Sequence, residues 1–196
     1  MTAETPVRPP GRPRSAQADE AIVDATIALL HDEGFDRLSM DAVATRAGVG
    51  KATIYRRWPS KEALVIDAVA RRSDPFPVEV SGTIHERVTA ILEGILATSQ
   101  TGVGKLLPCM VGASVTNPTL AAHYRTQIIE PRRARIAEIL RDAIRYGELR
   151  HDLDVDAAID AIVGPLVYRI VFKGDRVLDK RDCAALANTV IDGLAR

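Results

Sequence analysis

The chain has 196 residues, 46% of them hydrophobic, with 26 basic and 26 acidic side chains and a formal net charge of zero. That length supports one or two domains with a real core, and the balanced charge excludes a uniformly basic nucleic-acid coat. Two cysteines, no signal-peptide pattern and no membrane-length apolar run exclude a disulfide scaffold and a membrane protein, and fit a cytoplasmic location.

In chain order, Arg8-Pro9-Pro10-Gly11-Arg12-Pro13-Arg14 comes first. Its prolines remove amide donors and favour extended backbone, so residues 1–14 are expected to be a disordered basic arm. Gly-Arg-Pro-Arg resembles the core of AT-hook peptides, which makes Arg12 and Arg14 candidates for a narrow minor groove. A first helix follows, with Ile22, Ala25, Thr26, Leu29 and Leu30 stepping by three and four along one face.

Next comes SMDAVATRAGVGKATIYRRWPSKEAL, residues 39–64. Ser39 is an N-cap, Asp41 puts negative charge at the positive end of a helix dipole, and Gly48 can take the left-handed conformation that closes that helix. After Gly48-Val49-Gly50 a second helix is expected over Lys51 to Arg57, with Ile54 and Trp58 turned inward and Lys51, Thr53, Arg56 and Arg57 outward. Pro59 forbids continuation, and Ser60 caps a third helix from Lys61 to Arg72. Between Ala42 and Lys61 stand five cations and no acid, whereas Asp19, Glu20, Asp24, Asp32, Glu33 and Asp36 keep the preceding helix negative. Phosphate attraction is therefore expected on one face only.

These residues, from about Ala18 to Leu64 and above all GFDRLSMDAVATRAGV and TIYRRWPSKEAL, resemble the DNA-binding domain of the TetR family of bacterial transcriptional regulators. Many members carry an aromatic-His-Phe run where this chain reads Tyr55-Arg56-Arg57-Trp58. The resemblance implies that Lys51 and Ala52 lie nearest base edges in the major groove, Lys51 as a donor to guanine and Ala52 against a thymine methyl. It further implies that Thr53, Tyr55 and Lys61 hold phosphates and that Ser39 adds a phosphate contact to its capping role, while Arg57, a departure from the common His, is expected to add a cation near the DNA backbone.

Ser73-Asp74-Pro75-Phe76-Pro77 ends the helical pattern, so a DNA-binding domain over residues 15–72 and a linker over 73–82 are expected. Residues 83–196 read as helices at Ile84 to Ala97, Leu106 to Thr116, Pro118 to Tyr146, Val155 to Phe172 and Arg181 to Leu194. Pro131 should kink or split the long third one, and Pro165 should bend or loosen the fourth. The fold class is thus all-α: a three-helix helix-turn-helix domain followed by a larger helical domain for effector binding and dimerisation.

Apolar residues on the last two helices cover more than one face. Ile159, Ile162, Leu166, Ile170, Leu186, Val190 and Leu194 are expected to meet their copies in a two-fold four-helix interface. The family resemblance implies a small-molecule effector in this domain, with Cys109, Met110, Ser114, His123, Tyr124 and Tyr168 as candidate pocket residues. Aromatics are only 4% of the chain, which favours an aliphatic or small polar effector over a stacked drug.

Catalytic readings fail on spacing. Thr101-Gly102-Val103-Gly104-Lys105 lacks the leading glycine and the Ser or Thr of a phosphate loop, and reads as a flexible connector. Ser114 lacks the second glycine of a nucleophile elbow. Neither the four histidines nor the two cysteines show a metal spacing. The expectation is a homodimeric regulator of double-stranded DNA, not an enzyme, without cofactor or metal, released from a palindromic operator by a small molecule. A DNA-binding protein controlled by a protein partner, or one that organises the chromosome, is the alternative.

Overall fold

The computed structural model describes residues 13–73, 81–172 and 178–194, with side chains from residue 16 onward. Every element among them is helical, and the chain divides into two compact units, Met1–Ala68 and Val69–Arg196. The division falls inside a helix rather than in the expected linker, whose residues 74–80 lie outside the described ones.

The first unit opens with α1 (Pro13–Arg37). Pro13 and Arg14, expected in the arm, already belong to this helix, as a proline in the first turn sacrifices no hydrogen bond, and residues 1–12 of the expected arm lie outside the described residues. Arg12 and the side chain of Arg14 lie outside the described residues. The expected face of α1 is buried: Ile22, Ala25, Thr26, Leu29 and Leu30 are at most 6% exposed. The Thr26 hydroxyl is satisfied by donating to the Ile22 carbonyl at 2.8 Å. At Gly34 the backbone leaves the helix with φ +78° and ψ 177°, a region open only to glycine. This turn drops Phe35 and Leu38 into the core at 4% and 2% exposure.

Helix α2 (Met40–Ala47) begins where the Ser39 hydroxyl accepts from the Ala42 N–H at 3.1 Å. It ends at Gly48, whose φ of +65° lets its N–H reach the Ala44 and Thr45 carbonyls. Helix α3 (Lys51–Tyr55) is two residues shorter at its C-terminus than expected. The Arg57 and Trp58 amides both donate to the Ile54 carbonyl at 2.9 Å, winding the chain into a turn ahead of Pro59. Trp58 is 5% exposed and its indole N–H donates to Asp67 Oδ2 at 2.8 Å, tying this turn to α4 (Lys61–Arg72).

The second unit is built on α5 (Ile84–Gln100), α8 (Glu130–Arg145), α9 (Val155–Phe172) and α10 (Lys180–Leu194). Thr83 and Glu86 form a capping box at the head of α5, and Glu148 accepts both the Ile84 N–H and a hydrogen bond from Arg87. Val88, Ile91 and Leu92 of α5 share a core with Leu140, Ile159, Ile162, Leu166, Cys183 and Ile191. Each fully buried Ile or Leu there contributes about 1.5 to 3 kcal/mol relative to exposure.

Between these helices lie a short 3-10 turn (Gly104–Leu106), α6 (Leu107–Thr116) and α7 (Pro118–Tyr124). The Gly104 turn is a tight packing point rather than a flexible connector. A Cβ there would fall 1.8 Å from the Thr98 carbonyl oxygen, so only glycine can approach α5 this closely. Ahead of α8 the backbone makes a π turn over Arg125–Ile129, in which the Glu130 N–H donates to the Arg125 carbonyl. Pro131 has no N–H to offer, and this change of register splits the long helix where a break was expected. Pro165, by contrast, sits within α9, which continues through it to Phe172.

The expected dimer residues need correction. Ile159, Ile162, Leu166 and Leu186 are at most 8% exposed inside the chain's own core, with Ile170, Val190 and Leu194 partly buried against it. Packing of α9 and α10 on α5 and α8 takes up Ile159, Ile162, Leu166 and Leu186, while Ile170, Val190 and Leu194 keep part of their surface in water. The free face of α9 carries Ala157, Ala161, Gly164, Tyr168 and Phe172, all exposed.

Candidate nucleic-acid interface and effector cavity

The turn between α2 and α3 projects Lys51, Ala52 and Tyr55 into solvent, with Tyr55 52% exposed. Exposure of this size means that the ring is not spent on packing against α1. Thr53 is half-buried and starts its turn through an N–H bond to the Gly50 carbonyl at 2.9 Å. Ser39 is exposed while it caps α2, so its hydroxyl can still donate outward.

The cations divide into two groups. Lys51 Nζ lies 2.6 Å from Asp41 Oδ2, and Arg46 lies 2.7 Å from Asp32; all four side chains are more than 40% exposed. Such pairs are worth little in water and can be exchanged for phosphate. Arg57 and Lys61 are committed elsewhere. Arg57 pairs with Asp19 at 2.7 Å, the two side chains 19% and 22% exposed, which fastens the end of the α3 turn to α1. Lys61 donates to the Phe35 carbonyl at 3.0 Å and stands 4.3 Å from the Phe35 ring centroid. Arg57, expected at the DNA backbone, is therefore a clamp between helices, and the ammonium of Lys61 has one of its three protons taken. The acids Asp19 and Asp41 were legible in the sequence only as charge; pairing them needs the fold.

A second site lies wholly within the second unit, a cavity of about 60 Å³. Its apolar wall is Val69, Ile95, Val103, Leu107, Met110 and Ile128, and its polar lining is Ser73, Thr98, Ser99, Tyr124 and Arg132, with the Gly104 turn closing one side. Of the expected pocket residues, Met110 and Tyr124 line it; Cys109, Ser114, His123 and Tyr168 do not. The reason is helical phase: Leu107 and Met110 share a face that Cys109 leaves, and Tyr124, Ile128 and Arg132 share one that His123 leaves. Tyr168 is 59% exposed on α9, its ring 5.5 Å from that of Phe172. The i, i+4, i+8 spacing of Tyr124, Ile128 and Arg132 was the missed signal. Burial raises the Tyr124 phenol above its ordinary range, with Arg132 pulling it back in part, so the hydroxyl stays protonated at neutral pH.

Among the described residues no group of three or more His, Cys, Asp or Glu could hold a metal ion, and no helix is long and apolar enough to cross a membrane.

Comparison with known proteins settles the family. The family model for bacterial regulatory proteins of the tetR family matches residues 22–68, and that for the tetracyclin repressor-like C-terminal domain matches residues 78–190. The chain belongs to the TetR family. The HTH-type transcriptional regulator YdeS of Bacillus subtilis is 35% identical over 170 residues, 86% of each chain. The DNA-binding transcriptional repressor TetR of Mycobacteroides abscessus is 29% identical over 166 residues, 84% of this chain and 85% of its own. Among solved structures, the TetR family transcription regulator SCO0332 superposes with a TM-score of 0.68 at 31% identity, covering 92% of this chain and all of that one. This TetR-family protein is accordingly a helix-turn-helix transcriptional regulator, and residues 22–68 are its DNA-binding part.

Proposed function

We propose that this protein is a homodimeric repressor that binds a palindromic operator and lets go when a small molecule enters the cavity of its second unit. The observation that carries the reading is α4. Its first residue, Lys61, is hydrogen-bonded within the DNA-binding unit, and its end, Val69 and Ser73, lines the cavity. A ligand that moves the end of a helix of this length moves its beginning, because a helix of three turns transmits displacement nearly rigidly. Lys51 and Ala52 read bases, and Ser39, Thr53 and Tyr55 hold phosphates. Repression as the sign of regulation is supported by the relative from Mycobacteroides abscessus, which is a repressor by name.

The dimer forms through the free face of α9. Ala157, Ala161 and Gly164 permit close approach, and the neighbouring Tyr168 and Phe172 rings, 59% and 70% exposed, supply apolar area that a monomer would leave in water. Two recognition helices then meet half-sites ~34 Å apart. Selection of bound sequences from a random DNA library tests the reading: one palindrome, occupied by one dimer, is the expected result. Unrelated sequences bound with equal affinity would contradict it.

A further inference from the structure

The charge of the effector is written in the cavity lining. Arg132 is the single charged side chain among the lining residues. It is half-buried, yet among the described residues it makes no ion pair and no hydrogen bond. Of the other arginines on α8, Arg133 is held by Asp156 and Asp160, Arg135 by Glu138 and Arg145 by Asp142, while Arg141, which has no ion pair among the described residues, is exposed to water. A guanidinium drawn partly out of water without a partner favours any anion that reaches it, and its planar fork fits a carboxylate through two parallel bonds.

The hydroxyls of the lining narrow the choice. Ser73 donates to the Val69 carbonyl at 2.8 Å, Thr98 to the Gly94 carbonyl at 2.9 Å, and Ser99 to the Leu96 carbonyl at 2.7 Å. Their protons are spent on their own helices. Arg132 and the protonated Tyr124 are the donors left for a ligand, and both stand on the face set by the π turn. The lining also carries the aliphatic Val69, Ile95, Val103, Leu107 and Ile128. The cavity, about 60 Å³, is small, so the guest is short and its tail needs the flexible Met110 side chain to swing aside.

We infer that the cavity takes a short amphipathic carboxylate, its head on Arg132 and Tyr124 and its aliphatic tail among Ile95, Leu107, Met110 and Ile128. This inference rests on the effector reading above and adds the chemical class of the ligand.

The test uses the full chain and three probes of one length: hexanoate, 1-hexanol and hexylamine. Binding is followed by calorimetry and by the methyl resonance of Met110, which is 1% exposed at the cavity. Operator binding by fluorescence anisotropy runs in parallel. Hexanoate should bind at least tenfold more tightly than hexanol or hexylamine. Arg132→Gln should bring hexanoate down to the level of hexanol while leaving hexanol unchanged, which also shows that the variant is folded. Arg132→Lys should recover part of the preference, and Tyr124→Phe should weaken hexanoate severalfold. Equal binding of acid and alcohol, a preference that survives Arg132→Gln, or no binding of any probe would overturn the inference. Release of operator by hexanol alone would overturn the ligand class and leave the effector reading standing. Binding of hexanoate through Arg132 with operator affinity unmoved would uphold the class and overturn the release.

Discussion

Lys51 Nζ sits 2.6 Å from Asp41 Oδ2, so the cation at the head of the recognition helix is held by an acid on the helix before it. Both side chains are about 60% exposed, and the pair must open for Lys51 to meet a base. In the proposed role of Lys51, Asp41 competes with DNA for its ammonium. Asp41→Asn should raise affinity for unrelated DNA and steepen its salt dependence. Lys51→Ala should cost about 1 to 3 kcal/mol on the operator and relax preference at one position in each half-site. Anisotropy titrations on the operator and on a scrambled duplex at several salt concentrations measure both; a uniform loss on the two duplexes would assign Lys51 to phosphate.

Arg57 is tied to Asp19, and its loss should be felt in folding more than in DNA affinity. Arg57→Gln should lower the stability of the first unit by roughly 1 to 3 kcal/mol, because it leaves the part-buried Asp19 carboxylate without its ion-pair partner. The salt slope of operator binding should stay as it is. Trp58, the one tryptophan, is 5% exposed in this unit, and its fluorescence follows that unit's unfolding.

Gly34→Ala isolates a conformational cost. A Cβ at Gly34 would meet nothing within 4 Å, so the penalty comes only from φ +78° and ψ 177°. About 1 to 3 kcal/mol is expected for a side chain forced into that region. Thermal unfolding monitored through Trp58 should show it as a lowered midpoint, whereas an unchanged midpoint would mean that the turn relaxes.

At the α9 face, Tyr168→Glu should give a monomer by light scattering at micromolar concentration. Tyr168 is 59% exposed in the single chain, so the fold should persist by circular dichroism. Loss of the second recognition helix should lower operator affinity by about 10² to 10⁴, the usual gain from tethering two modules.

Cys183 should be inert in the native protein. Its thiol is pushed up to about 11, first by burial and then by the carboxylates of Glu93, Asp182 and Asp179. Raising the pKa removes thiolate at neutral pH, and the thiolate is the nucleophile. Iodoacetamide at pH 8 should modify Cys183 only after denaturation; rapid native labelling would show an open core around α10.

The DNA-binding unit was legible because its signals are local. Ser39 bounds a helix through its hydroxyl and Gly48 and Pro59 through their backbones, and Lys51 and Ala52 follow a glycine turn whose geometry is set by adjacent residues. What each cation does was not legible. Arg46, Lys51, Arg57 and Lys61 look alike in the sequence, and only the fold brings them to Asp32, Asp41, Asp19 and Phe35. Helix positions in the second unit were also readable, since Asn117-Pro118, Pro131 and Gly147 punctuate them.

The sequence by itself thus determined an all-helical chain with a DNA-reading turn, because caps, prolines and three-to-four periodicity act within a few residues. Tertiary structure alone decided which face of α9 is core and which is free. Apolar periodicity records how much of a helix is buried and not against what, so Ile159 and Tyr168 could be told apart only once α5 and α8 had claimed one side. It also decided the cavity, where Arg132 stands half-buried with no ion pair or hydrogen bond among the described residues. A missing contact leaves no mark on the sequence.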